Sequence, residues 1–182
     1  WAVVDDSKSL VFNQEDWLEP RTEETIDWYF FAYGQDYKAA LQDYCTISGE
    51  MPLVPRWILG NWWSRYWGYT QEELVTLIND FQTHEIPLSV CIVDMDWHLT
   101  ETHNDSTGWT GYTWNRKLFP DPQELIDFFH EKGLRTALNL HPAEGVHRHE
   151  SQYTEMAQCL GRDPESGEPI EFDISDQEFI KA

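Results

Sequence analysis

Short apolar runs alternate with amphipathic segments along most of the chain beyond residue 56. Three of these runs have the composition of buried strands: residues 57–63 (WILGNWW), 88–93 (LSVCIV) and 134–140 (LRTALNL). Near-continuous apolar runs are typical of parallel strands that are covered on both faces. Because helical segments separate the runs, the pattern predicts a parallel sheet with right-handed crossover connections.

Signals for the start and end of helices lie between the predicted strands. Thr70 and Glu73 have the spacing of a capping box, in which each side chain satisfies a backbone N–H of the first turn. Asp121 and Pro122 suit an N-cap and the first helical position, and Gly133 suits a left-handed C-terminal cap. The apolar faces of the two helices comprise Leu74, Leu77, Ile78 and Phe81, and Leu125, Phe128 and Phe129.

The first 50 residues follow a different pattern. Residues 28–33 (WYFFAY) form a β-prone aromatic run, and residues 36–46 carry apolar positions at helical spacing. The prolines of residues 52–55 (PLVP) then favour an extended linker. We therefore expect two regions, residues 1–50 and residues 51–182, of which the first resembles the end of a β-domain.

Two parallel-sheet architectures fit the second region, a doubly wound sheet and a (β/α)8 TIM barrel. No strand is followed by GxGxxG or GxxxxGK[ST], so a nucleotide site of the Rossmann or P-loop type has no support. The barrel is therefore favoured, and the chain has the first three βα units of one. A complete barrel takes about 250 residues, so we expect a fragment.

The charge balance restricts the possible partners. The chain has 12 Lys plus Arg against 33 Asp plus Glu, a formal charge of −21. Nucleic-acid binding needs Lys and Arg to displace counterions, and anionic lipid would repel such a surface. The apolar runs are also too short to span a membrane, which takes about 18 residues. We expect a globular protein that binds neither nucleic acid nor membrane.

Three cysteines, Cys45, Cys91 and Cys159, are widely spaced and lack a CxxC pair. Such spacing indicates neither a disulfide framework nor a zinc site. We expect reduced and mostly buried thiols, which favours a cytoplasmic location. The chain begins at Trp1 without Met, so we expect either a removed signal or a missing upstream portion.

Polar and aromatic residues follow each predicted strand: residues 65–69 (RYWGY), 94–97 (DMDW) and 139–141 (NLH). In a TIM barrel these carboxyl ends meet at one face, where active sites lie. Carboxylates accept hydrogen bonds from adjacent hydroxyls, and flat aromatic rings cover the apolar face of a pyranose. The combination predicts a sugar site.

Other interpretations of the same residues remain open. Asp94, Asp96 and His141 could hold a divalent metal, or Asp96 could cap a helix or pair with Arg65. Trp67 could pack under a loop, and a structural role for Trp97 fits as well as a binding role. The histidines match no helical HExxH spacing. A metal-dependent hydrolase and a noncatalytic carbohydrate-binding or scaffold fragment are the competing functions.

Seven segments occur in an order and spacing that resemble glycoside hydrolase family 31, the α-glucosidase and α-xylosidase family. They are residues 33–34 (YG), 52–60 (PLVPRWILG), 64–69 (SRYWGY), 86–88 (IPL), 94–97 (DMDW), 113–115 (TWN) and 119–122 (FPDP). The resemblance extends from about residue 27 to the C-terminus.

This resemblance implies a retaining α-glycosidase, or an α-transglycosylase of the same family, with no cofactor. It implies an N-terminal β-sandwich, a catalytic barrel and C-terminal β-domains, of which this chain has the end of the sandwich and the start of the barrel. The family's nucleophile and acid/base carboxylates lie outside these 182 residues. The implied partners are an α-linked oligosaccharide or glycoside and the remainder of the polypeptide, which completes the barrel.

The resemblance also implies roles for individual residues. Asp94 resembles the carboxylate that grips the hydroxyls of the non-reducing sugar in subsite −1, and Trp67 resembles an aromatic residue of that pocket. Asn139 and His141 stand where common members have an apolar residue and an Asp. A different polar pattern there could select another epimer or a modified glucose. Asp96 and Trp97 are candidates because they adjoin Asp94.

Overall fold

The computed structural model describes residues 1–104, 106–109 and 111–182. The chain forms two compact units. One contains residues 1–54 and 174–177, and the other contains residues 55–173 and 178–182.

The first unit contains two antiparallel strand pairs and a helix. Strands β1 (Ala2–Asp5) and β4 (Trp28–Phe31) pair with each other, and the short strands β2 (Val11–Phe12) and β3 (Leu18–Glu19) form a hairpin. Helix α1 (Tyr37–Ser48) begins at the N-cap Asp36, whose side chain accepts a hydrogen bond from the Ala39 N–H. The strand and helix predicted for residues 28–46 are present, whereas the assignment of this unit to a β-sandwich stays a prediction.

The second unit is built on a parallel sheet of three strands, β5 (Trp62–Trp63), β6 (Val90–Val93) and β7 (Arg135–Leu138). Strand β6 pairs with both of the others in parallel. Helix α2 (Gln71–Thr83) connects β5 to β6, and helix α3 (Pro122–Glu131) lies between β6 and β7. The alternation of strands and helices predicted from the apolar pattern is confirmed.

Local signals define both helices. Thr70 and Glu73 form the predicted capping box, in which the Thr70 hydroxyl accepts from the Glu73 N–H and Glu73 accepts from the Thr70 N–H. Asp121 accepts from the Glu124 N–H, and Pro122 is the first residue of α3. Gly133 has φ = 77°, the left-handed conformation that glycine adopts without steric cost.

A hydrophobic core fills the space between the two helices and one face of the sheet. Its buried members are Leu74, Ile78, Cys91, Val93, Trp97, Phe119, Leu125, Phe129 and Leu134. Burial raises the pKa of the Cys91 thiol to about 12, so this thiol is neutral in the folded protein. The helices therefore cover the sheet on the side of Cys91 and Val93.

The predicted strand over residues 57–63 is wrong in its first half. Residues Arg56–Leu59 form a 3-10 turn in which the Ile58 N–H donates to the Pro55 carbonyl, and only Trp62–Trp63 is a strand. Gly60 lies against Ser89, and a Cβ at this glycine would be 1.9 Å from the Ser89 hydroxyl oxygen. The apolar run therefore turns at Gly60 before it joins the sheet.

The chain after β7 is mostly irregular. Two 3-10 turns, Pro142–Glu144 and Pro164–Ser166, flank helix α4 (Tyr153–Cys159), and helix α5 (Gln177–Lys181) lies near the C-terminus. A second small core contains Val146, Tyr153, Ala157 and Ile170. Within the described residues, none of the helices has the length and apolar character needed to cross a membrane.

All three cysteines have free thiols in the structure. The expectation that they are mostly buried is wrong, because only Cys91 is buried. Cys45 is partly exposed and Cys159 is exposed on α4. Neither residue is a member of the two hydrophobic cores.

Candidate functional site

Asp94 and Asn139 follow neighbouring parallel strands and occupy equivalent positions. Val93 is paired with Leu138, and the Asn139 N–H donates to the Val93 carbonyl at 3.0 Å, which continues the ladder beyond the strands. Successive side chains of a strand point to opposite faces. Since Val93 belongs to the core under the helices, Asp94 and Asn139 lie on the opposite face, which is the interior in a barrel.

The side chains of these two residues contact each other directly. The Asn139 Nδ2 amide donates a hydrogen bond to Asp94 Oδ1, across 45 residues of sequence. None of the other described residues forms a hydrogen bond or ion pair with Asp94 Oδ2. Both side chains are partly exposed, so the carboxylate is oriented by one donor and still has acceptor capacity toward a ligand.

Trp97 belongs to the core rather than to an open surface. It is 3% exposed, and its ring makes an edge contact with Trp114 at 5.0 Å between centroids. Its indole N–H donates to the Asn139 carbonyl at 2.7 Å. No flat face of this ring is therefore available to a sugar, and its contact with the candidate site is through Asn139.

Trp67 is 50% exposed and lies beside the segment that follows β6. Gly68 forms a parallel bridge with Met95, so residues 65–69 extend next to residues 94–97. The Arg65 guanidinium carbon lies 4.6 Å from the Trp67 ring centroid, in a cation–π contact. Among the described residues, no ion pair joins Arg65 to Asp96, so the pairing considered from the sequence is absent there.

Asp96 packs against the backbone that carries Trp67. A Cβ at Gly68 would lie 2.7 Å from Asp96 Oδ2, so a side chain at residue 68 would require the Asp96 carboxylate to shift. Asp96 itself has φ = 57°, an uncommon conformation outside glycine that aspartate tolerates better than most residues. Its side chain also borders a cleft that includes Thr100 and Asn115, and Asp94 is not part of that lining.

His141 contacts Trp109, an aromatic residue outside the predicted site. Its ring centroid lies 5.1 Å from that of Trp109, with 33° between the planes. Trp109 comes from the long loop between β6 and α3 and remains substantially exposed. A tryptophan in a Gly- and Thr-rich loop carries no local signal that it returns to the end of β7, so a sequence pattern could not reveal this contact.

A second missed residue is Glu150, a buried carboxylate that connects the loops after β6 and β7. It accepts hydrogen bonds from the Tyr112 N–H and the Thr113 hydroxyl. Burial, together with the negative charge of Glu150, raises the pKa of the Tyr112 phenol. In a chain with 33 acidic residues, no pattern separates this glutamate from surface ones.

The described residues do not support the metal-site interpretation. Across residues 1–104, 106–109 and 111–182, no group of three or more His, Cys, Asp or Glu side chains is arranged to hold a metal ion. Asp94 is oriented by an amide, Asp96 lies against Gly68, and the His141 ring makes a tilted contact with Trp109. These three residues therefore do not converge on one point.

Similar proteins place the chain in a family. The model of the Glycosyl hydrolases family 31 TIM-barrel domain matches residues 51–171. An α-xylosidase of Saccharolobus solfataricus is 25% identical over 132 residues, which are 72% of this chain and 17% of that protein. Alpha-glucosidase 2 of Bacillus thermoamyloliquefaciens is 34% identical over 110 residues, which are 60% of this chain and 13% of that protein.

A solved structure has the same fold over most of the chain. The α-xylosidase of family 31 from a soil metagenome, determined with xylose, superposes with a TM-score of 0.53 at 22% sequence identity. The match covers 78% of this chain and 19% of that structure. The chain thus spans less than a fifth of the length of these relatives, and its parallel sheet is part of a TIM barrel. Because the family model covers more than half of its residues, the chain belongs to glycosyl hydrolase family 31.

Proposed function

We propose that this chain is part of a retaining α-glycosidase and that Asp94 binds the hydroxyls of the non-reducing terminal sugar of an α-linked glycoside. The hydrogen bond from the Asn139 amide to Asp94, on the sheet face that the helices leave open, is the observation that carries the proposal. It gives one carboxylate a fixed orientation at the strand ends, where TIM barrels bind substrate.

A carboxylate in this position suits adjacent sugar hydroxyls. Each of its two oxygens accepts hydrogen bonds, and Asn139 occupies part of the capacity of Oδ1 alone. Two neighbouring O–H groups can therefore donate to the remaining positions. Hydrogen bonds to an ionised acceptor are stronger than neutral ones, which favours a tightly oriented ring.

The other candidates take different roles in this proposal. Trp67 and His141 contact the sugar. Trp67 uses the face of its indole ring that Arg65 does not cover. Trp109 supports the His141 ring. Asp96 positions Trp67 through its contact with Gly68. Trp97 is a positioning residue, since it is buried and its indole donates a hydrogen bond to the Asn139 carbonyl.

We infer that the reaction retains the configuration of the anomeric carbon and uses two further carboxyl groups. One attacks the anomeric carbon to form a covalent glycosyl-enzyme, and the other protonates the leaving oxygen and then activates water; they stand about 5–5.5 Å apart. We infer from the family resemblance that both lie beyond the third strand. The residues of this chain bind the sugar and tighten on its distorted, oxocarbenium-like form, which lowers the barrier.

Asn139 and His141 are the basis for a finer proposal on the sugar. Their amide and imidazole replace the apolar residue and the Asp that common family members have at these positions. An amide that points at Asp94 removes one acceptor position from that carboxylate. We infer that the preferred sugar is another epimer of glucose or a modified glucose, and that the remainder of the polypeptide completes the pocket.

The test is the turnover of a panel of p-nitrophenyl α-glycosides by the full-length protein, wild type beside Asp94→Ala. We expect kcat/KM to fall by about 100-fold or more, since each hydrogen bond to a charged group contributes about 1.5–3 kcal/mol. Asp80→Ala is the matched control, because Asp80 is an exposed aspartate on α2, and it should retain wild-type kinetics.

Each outcome has a defined meaning. Turnover that survives Asp94→Ala unchanged would remove Asp94 from the sugar site while leaving the glycosidase proposal in place. Lack of turnover by the wild-type protein across all α-linked sugars of the panel would contradict the glycosidase proposal itself. It would favour the noncatalytic carbohydrate-binding alternative.

A further inference from the structure

Glu150 lies in the loop after β7 and is 4% exposed, although it is a carboxylate. Its Oε2 accepts from the Thr113 hydroxyl at 2.6 Å and from the Tyr112 N–H at 3.2 Å. Its Oε1 lies 3.0 Å from His149 Nε2, within ion-pair distance but without the alignment of a hydrogen bond. Burial of a carboxylate is costly unless it is paired, so these contacts hold the two loops together.

Thr113, which donates to Glu150, lies in a segment that pairs antiparallel with the residues after Asp94. The Leu99 N–H donates to the Thr113 carbonyl at 2.9 Å, and the Asn115 N–H donates to the Trp97 carbonyl at 2.7 Å. The Ser151 N–H donates to the Thr113 hydroxyl at 2.8 Å, which adds a second tether beside Glu150. The position of Trp97 is thereby fixed from the loop after β7.

The same cluster is closely packed on its other side. A Cβ at Gly111 would lie 2.8 Å from His98 Nδ1 and 3.2 Å from Glu150 Oε1, so the backbone there approaches both side chains. His98 is also 4% exposed. Glu150 and His98 are therefore both buried against the backbone of the loop after β6.

From these contacts we propose that Glu150 is a positioning residue for the sugar-binding carboxylate. Glu150 fixes Thr113, the paired backbone fixes Trp97, and the Trp97 indole fixes Asn139, whose amide orients Asp94. The inference rests on the proposed function of Asp94. It assigns Glu150 an effect on sugar binding without any contact with the sugar.

A double-mutant cycle in the full-length protein tests this chain of contacts. Glu150→Gln keeps the shape but removes the charge, and we expect it to lower kcat/KM by about 10-fold, because small displacements of a binding group are costly. In the Asp94→Asn background the same change should lower kcat/KM by less than about 2-fold, since coupled residues are not additive. The Kd of an iminosugar inhibitor provides the same comparison if Asp94→Asn turns over too slowly.

Two further variants separate positioning from general damage. Glu155→Gln is the matched control, since Glu155 is exposed on α4, and it should leave kcat/KM unchanged. Thr113→Val removes the hydroxyl that donates to Glu150. It replaces Glu150→Gln in the cycle if that variant fails to fold, and we expect the same non-additivity with Asp94→Asn.

Equal losses from Glu150→Gln in both backgrounds, or wild-type kinetics of Glu150→Gln and Thr113→Val, would overturn the inference. An unchanged kcat/KM for Asp94→Asn alone would instead contradict the proposed function. The two failures are therefore distinguishable within one set of proteins.

Discussion

Asn139 is a single residue that connects Asp94 to Trp97 in the candidate site. Its side chain donates to Asp94, and its backbone carbonyl accepts from the Trp97 indole. A carboxylate at this position would face Asp94 with a like charge. The amide avoids this repulsion and supplies a donor instead.

Asn139→Asp should therefore make activity depend on pH. Two adjacent carboxylates raise the pKa of one of them, and below that pKa the shared proton replaces the amide donor. Above it both groups are ionised and repel each other. We expect kcat/KM of Asn139→Asp relative to wild type to decline as pH rises through the raised pKa. Asn79→Asp, at an exposed position of α2, should follow the wild-type profile.

Cys91 gives a second prediction at this scale. Its thiol has a pKa of about 12 in the folded protein against 9.0 ordinarily, because it is buried. The thiolate is the reactive form, so iodoacetamide should modify exposed Cys159 and leave Cys91 unmodified until the protein unfolds. The raised pKa adds stability below about pH 9, and this stability is lost as the pH rises toward 12. Native-state labelling of Cys91 at the rate of Cys159 would contradict its burial.

Helix α2 is an element whose start is fixed by two residues. Thr70 and Glu73 exchange hydrogen bonds across the first turn and satisfy backbone N–H groups that have no partner within the helix. The apolar residues Leu74 and Ile78 then bury one face against the sheet. Both features depend on near neighbours in the sequence, so they are visible without a structure.

Thr70→Ala should lower the free energy of unfolding by about 1 kcal/mol, the usual effect of losing an N-cap. Urea denaturation of the full-length protein, followed by far-UV circular dichroism, measures this change. Thr76→Ala is the matched control in the middle of α2, where Thr76 is exposed and alanine has the higher helix propensity. A control as destabilised as Thr70→Ala would argue against a capping effect.

The difference between local signals and long-range contacts explains which elements the sequence could predict. Caps and amphipathic faces are local, so α2, α3 and the buried strand β6 are predicted closely. Residues 57–63 are apolar throughout, and an apolar run does not distinguish a 3-10 turn from a strand. The turn ends at Gly60, which packs against Ser89, and this contact joins residues that are far apart in the sequence.

Long-range contacts limited the prediction of the site in the same way. The motif order indicated that Asp94 and Asn139 approach each other, because the ends of parallel strands meet. The roles of Trp97 and Glu150 depend instead on a hydrogen bond across 42 residues and on contacts across 37 and 38 residues. Such contacts leave no trace in a single sequence.

One face of the parallel sheet has little cover. Trp62 is 44% exposed, and the Trp57 and Arg135 side chains lie near it at the start of the sheet. Within the described residues, β5 and β7 each pair on one side only. Exposed edges and apolar faces favour association.

We therefore predict that residues 1–182, expressed alone, self-associate. The remainder of a barrel would supply the missing strands and cover the open face. Static light scattering of the isolated chain measures the association state, and the full-length protein is the control. A stable, monodisperse monomer of residues 1–182 would contradict the prediction.

The most direct test of the sugar-binding role of Asp94 is a crystal structure of the full-length protein with a bound iminosugar or non-reducing-end sugar. We predict that two adjacent hydroxyl groups of the ring lie within hydrogen-bonding distance of the Asp94 carboxylate, and that the Asn139 amide still donates to Oδ1. A sugar bound at the strand ends without any contact to Asp94, or bound elsewhere in the barrel, would contradict it.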